Sequence, residues 1–190
     1  MVAISNPFGM VPVNHPTGLS RAEVLDAGIP SGYGTAIFMY QPVLLATAGQ
    51  IQPVAANNVD FVGVFMGCQF TPAGGRPTYS TFWPASTVLE TGTTCKVFYT
   101  TDPLIEYEIQ AAGSVAQTAI GDQGNFSNFA ANGAGYSQAT LDPTLVGATV
   151  QGQVRIVGLN LRPDNAWGDA FTIVRVQIAR HQFVANKVAI

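Results

Sequence analysis

Apolar and polar residues alternate most regularly over residues 104–110 (LIEYEIQ), where Ile105, Tyr107 and Ile109 point one way and Glu106, Glu108 and Gln110 the other. A period of two marks a strand with one wet face. Residues 171–180 (FTIVRVQIAR) repeat the pattern with Val174, Val176 and Ile178 on one side, and residues 153–159 form a second strong strand before them. Between these two, Arg162-Pro163-Asp164-Asn165 has Pro and Asp where a turn favours them. Residues 61–70 (FVGVFMGCQF) are a continuous apolar run between turn residues, which suits a buried strand. Residues 94–101 make another strand, stopped by Asp102-Pro103, and this pair predicts a tight turn into the alternating run. Residues 79–83 read as a short aromatic strand. Residues 37–40 and 43–47 are strand material in which Pro42 marks an edge or a bulge. The pattern predicts an all-β fold of about seven to nine strands, an antiparallel β-sandwich or barrel of jelly-roll-like kind.

The ends and the middle behave differently. Residues 1–19 carry Pro7, Pro12 and Pro16 among Ile4, Phe8, Met10, Val11 and Val13. Proline at these spacings prevents a helix, while the apolar residues need cover. The segment reads as an extended N-terminal arm across its own domain or a neighbouring subunit, with an edge strand of the main sheet as the alternative. Residues 20–28 favour a short helix weakly, with Ser20 as N-cap and Glu23 completing a capping box, against a strand leading into Ile29-Pro30. A further short helix is predicted over 114–120. Residues 121–139 read as a long Asn/Gly-rich loop carrying Phe126, Phe129 and Tyr136. The organisation predicted is an arm, 1–19, followed by one β-rich domain, 20–190.

Composition narrows the function. Only 10% of the 190 residues are charged, the formal net charge is −3, and there are 2 His and 2 Cys. Catalytic chemistry needs concentrated ionisable groups, and this chain scatters them. No stretch concentrates Lys or Arg, so the sequence carries no electrostatic footprint for nucleic acid or for an anionic membrane. No segment has the uncharged apolar length of a membrane helix. The N-terminus lacks a basic start and its prolines interrupt the apolar run, so synthesis in the cytoplasm without a standard export leader is expected. A surface this poor in charge points to assembly rather than to a lone monomer. Cys68 and Cys95 read as two buried thiols.

Candidate chemistry is thin. Gly135-Tyr136-Ser137-Gln138-Ala139 nearly matches a nucleophile elbow, with His181 as a conceivable partner, but lacks the last Gly and the strand–helix context. Gly32-Tyr33-Gly34 begins a dinucleotide fingerprint that Ile37 breaks, and a turn is the better reading. His15 and His181 lie at opposite ends of the chain, and no C-x-x-C occurs. Glu106 and Glu108, about seven Å apart on one strand face, have the spacing of a glycosidase pair but read as solvated carboxylates. No catalytic residue, cofactor or metal site is expected. Tyr33, Tyr79, Phe82, Trp83 and Trp167 are candidate interface anchors, or core. An exposed-aromatic, carbohydrate-binding module is the alternative class they allow.

Four stretches carry a family resemblance: residues 6–13 (NPFGMVPV), 29–43 (IPSGYGTAIFMYQPV), 102–110 (DPLIEYEIQ) and 161–183 (LRPDNAWGDAFTIVRVQIARHQF). In order and spacing they resemble the head decoration, or cement, proteins of tailed bacteriophages over most of the chain. Residues 76–83 and 121–139 fit least. The resemblance implies a virion protein on the capsid exterior that clamps adjacent major capsid protein subunits, in many copies, as a homotrimer or else a dimer. A tail or head-fibre component is the runner-up. Pro7, Phe8, Met10, Val11, Val13, Tyr33, Phe82, Trp83 and Trp167 are the residues expected at the capsid or oligomer interface.

Overall fold

The computed structural model describes residues 4–18, 22–55 and 59–184. Thirteen strands and one 3-10 turn occur in the order β1 (Val11–Asn14), β2 (Glu23–Ile29), β3 (Pro42–Leu45), β4 (Ile51–Pro53), β5 (Gly63–Phe70), β6 (Thr78–Ser80), β7 (Cys95–Tyr99), β8 (Glu106–Gln110), the turn Gln117–Ala119, β9 (Gln123–Gly124), β10 (Phe126–Asn128), β11 (Thr140–Leu141), β12 (Val154–Leu159) and β13 (Ile173–Ile178). Sheet one has the order β1-β8-β13-β12-β9. Sheet two runs β2-β7-β5-β3-β4, with β6 also paired to β5, and β10-β11 form a small ribbon. All strand pairs in these sheets are antiparallel. The sheets stay open and face one another, so the fold is a sandwich.

Two apolar cores flank sheet two. The first lies between the sheets, where Tyr107, Ile109, Val154, Ile156, Val174 and Val176 of sheet one meet Val64, with Leu44 and Met66 packed against them. The second contains Val43, Phe65, Cys68, Cys95 and Val97 and is closed by Ile29, Ile37 and Trp83. Neighbouring residues of β5, Val64 and Phe65, belong to different cores, as a strand's alternation requires. That is why the run at 61–70 shows no polar face.

Glycine fits β5 between its neighbours. A Cβ on Gly63 would lie 1.8 Å from the carbonyl oxygen of Thr100. Gly67, at φ 127°, sits in the bulge where the β5–β7 register shifts. Thr100 Oγ1 accepts the Val64 N–H at 2.9 Å and is hydrogen-bonded to the Tyr107 hydroxyl at 2.9 Å, so one buried chain of hydrogen bonds crosses from sheet two to sheet one. Burial pushes the Tyr107 hydroxyl well above its ordinary pKa.

Several sequence expectations change. Instead of a helix, residues 23–29 form an edge strand in which Val24 and Leu25 pair with Phe98 and Val97 of β7. Pairing and the burial of Ile29 override a weak local preference, and Ser20 lies outside the described residues. The Asp102 turn forms, with Ile105 N–H donating to the Asp102 carbonyl at 3.3 Å, but it carries the chain from sheet two to sheet one instead of closing a hairpin. The helix expected at 114–120 is reduced to the single turn Gln117–Ala119. Within 121–139 lie β9 and β10, and Phe126 is fully buried. The chain from 11 to 14 is an edge strand paired with β8 of its own sheet, and Met10 sits in the inter-sheet core. Cys68 and Cys95 are free and buried, and the Cys68 thiol is pushed up by its hydrogen bond to Cys95 and by burial.

Gly63→Ala is expected to lower stability by about 3 kcal/mol or more, because the added methyl meets backbone. Tyr107→Phe, which removes only the hydroxyl, is expected to cost about 1–2 kcal/mol. Urea denaturation of both variants checks the order.

Candidate interaction surface

The outward face of sheet one is a lattice of polar side chains. Backbone register places Asn14, Glu106, Gln177, Arg155 and Gln123 in one row across all five strands. A second row holds Val11, Glu108, Arg175 and Gly158. Arg175 Nη1 donates to Glu106 Oε2 at 3.1 Å, and Asn14 Nδ2 donates to the same oxygen at 3.4 Å. Arg155 Nη2 donates to Gln177 Oε1 at 3.1 Å. A Cβ on Gly158 would lie 3.2 Å from Arg175 Nη2, so the glycine leaves room for the guanidinium.

The loop between β12 and β13 folds back over this face. Its turn, closed by Asn165 N–H to the Arg162 carbonyl at 3.2 Å, is the one the sequence predicts. Asn165 then braces the loop, donating from Nδ2 to the carbonyls of Asn160 and Ile173, each at 2.7 Å, and accepting the Ile173 N–H at 2.8 Å. Held this way, Asn160 and Arg162 both donate to Glu108, and the Arg162 guanidinium stands 5.6 Å over the Phe8 ring. Glu108 and Gln110 are therefore buried, contrary to the wet face expected of them. Gln110 accepts the Asn6 N–H and donates to the Ile4 carbonyl, both at 2.9 Å. Leu161, at the tip of the loop, is 89% exposed, and Val13 across from it is 43% exposed. With Asn14, Asn160 and Arg175 they line a shallow depression. Two exposed apolar side chains thus stand among arginine and asparagine on this face.

The expected interface residues divide. Phe8, Val11 and Val13 lie on or beside this surface, with Pro7 partly buried next to them. Met10 and Trp83 are fully buried and offer no surface in the folded chain. Trp83 packs edge-on against Phe70, with its Nε1 donating to the Tyr33 carbonyl at 3.4 Å. Tyr33 packs against the second core and Trp167 against the first, both partly buried. Phe82 stacks on Phe38 with ring centroids 6.5 Å apart. Tyr79 is exposed on β6, away from sheet one. Arg162 was legible only as a turn residue and Leu161 not as a site residue at all, because Arg162 meets its partners Glu108 and Phe8 from far away in the chain.

The catalytic candidates do not assemble. Ser137 is buried and its hydroxyl accepts the Ala139 N–H at 3.1 Å. His181 turns instead to the Thr101 carbonyl, 2.8 Å from Nε2, while Nδ1 accepts the Phe183 N–H at 3.1 Å. Glu106 and Glu108 are each tied to an arginine. His15 comes within 2.9 Å of Asp102, which also acts electrostatically on His181, so the two histidines approach one turn. Among the described residues no group of three or more His, Cys, Asp or Glu is placed to hold a metal. No protein-family model, no curated protein and no solved structure matches the chain.

Burial lowers the pKa of His181 below its ordinary 6.5, more than its hydrogen bonds and Asp102 raise it. The unfolded chain therefore binds more protons than the folded one between the folded-state pKa and about 6.5, and stability falls as pH drops through that window. Urea midpoints at pH 7.5 and 5.0 are expected to differ more for the wild type than for His181→Gln.

Proposed function

We propose that this chain is a structural protein of a bacteriophage particle, bound to the outside of the capsid shell, where it cements adjacent major capsid protein subunits. The observation that carries this reading is where the resembling stretches lie. Three of the four, residues 6–13, 102–110 and 161–183, are distant in sequence but take in most of β1 and all of β8 and β13, neighbouring strands of sheet one. The contacts Arg162–Glu108, Arg175–Glu106 and Arg162–Phe8 tie these stretches to one another. The stretches that suggest decoration proteins thus adjoin one another in sheet one, partly in its core and partly on the outward face beside the exposed Leu161 and Val13.

The surface suits such a role physically. Ion pairs and hydrogen bonds fix the loop that presents Leu161, so little ordering remains to be done on contact. Burying one leucine side chain contributes about 1.5–3 kcal/mol. Many symmetric copies turn such modest single contacts into a large total. A homotrimer at a symmetry axis, or else a dimer, is the assembly that fits the family.

Two measurements test the proposal. Quantitative mass spectrometry of purified particles is expected to find this chain at hundreds of copies, in a fixed ratio to the major capsid protein. Its absence from particles, or a handful of copies, overturns the reading. Leu161→Asp and Val13→Asp are expected to weaken rebinding to stripped shells by about tenfold or more each, as loss of one buried apolar contact implies, with the melting temperature unchanged.

A further inference from the structure

Where β13 runs into the 179–184 segment, beside the polar lattice, the surface opens into a cavity of about 150 Å³. Ile178, Ala179, Val184 and Leu104 supply apolar walls, and Arg155 and Gln177 stand in its lining. A cavity of about this volume with apolar walls admits one benzene-sized body.

The polar groups in this lining are unbalanced. Arg162, Arg175 and Arg180 each have a carboxylate partner, at Glu108, Glu106 and Asp60. Arg155 is in none of the ion pairs among the described residues, and its guanidinium donates to the neutral Gln177 Oε1. Gln177 uses its acceptor there, which leaves its amide N–H₂ as a donor. His181, also in the lining, has one ring nitrogen on the Thr101 carbonyl and the other on the Phe183 N–H. Glu106, across from Gln177 on β8, is engaged with Arg175 and Asn14, and Asp102 with His15. Among the described residues, a partly buried cation and an amide donor thus share this cavity without an anion paired to them. Pockets that bind small molecules combine apolar walls with a few such polar groups.

We infer that this cavity binds a small free carboxylic acid with a compact apolar body. The body fills the space between Leu104, Ile178, Ala179 and Val184. The carboxylate accepts hydrogen bonds from the Arg155 guanidinium and the Gln177 amide, a charge-assisted pairing for which guanidinium geometry is suited. The site is separate from the patch around Leu161, and its occupancy does not depend on shell binding.

Benzoate and its neutral counterpart benzyl alcohol test this on the full chain, by titration of backbone amide NMR signals. Benzoate is expected to give saturable shifts at Ile178, Ala179 and Val184, and benzyl alcohol to bind about tenfold more weakly or worse, since it lacks the charge-assisted hydrogen bonds. Arg155→Gln is expected to reduce benzoate affinity by a similar factor, and Arg155→Lys by less. The wild-type comparison of the two probes needs no variant to fold. Absence of saturable shifts at those three residues, or equal affinity for the two probes, overturns the inference.

Discussion

The sandwich depends on a short run of hydrogen bonds buried between its sheets. Thr100 Oγ1 accepts the Val64 N–H and is bonded to the Tyr107 hydroxyl, so a polar bolt passes through an otherwise apolar layer. Buried polar groups are tolerable only when satisfied, and a satisfied chain of them fixes one relative placement of the elements it joins. Here it sets β5 against β8. Gly63 permits it, since any side chain there would strike Thr100. From β8 the placement passes by register to β1 and β13, and so to every side chain of the outward lattice.

What the sequence disclosed was local. The alternation in β8 and β13, the buried run of β5 and the turn at 162–165 were legible because each depends on residues next to one another in the chain. The partners of Glu108 were not. A period of two separates two faces of a strand but does not say what covers the second, and here the cover comes from Arg162 and Asn160, more than fifty residues on. The same limit explains β2, whose pairing with β7 outweighs a helix-like run, and β9 and β10, which hold too few residues to show periodicity and exist through β12 and β11. Trp83 and Met10 were ambiguous for another reason: an aromatic or apolar residue in a proline-interrupted segment reads alike whether it closes a core or offers an anchor.

The uneven placing of cations finds its account in the lattice. Of 8 basic residues, four are arginines within 155–180. Arg155 on β12 and Arg175 on β13 lie across the sheet from the acids of β8, and Arg162 reaches over from the connecting loop. Low overall charge thus coexists with a dense patch of both signs on one face.

Among the described residues the first strand ends sheet one with an unpaired side, and its composition bears on how another strand could add there. Pro12 contributes no backbone N–H, and the register breaks between Pro12 and Asn14. A row of donors interrupted in this way is a poor template for another strand. Sheet-to-sheet addition, which would propagate without limit into fibres, is blunted at this edge. Association through side-chain patches gives finite rings where the relating rotation closes and open filaments where it does not. A proline in a four-residue strand thereby weakens strand addition at this edge of the sheet.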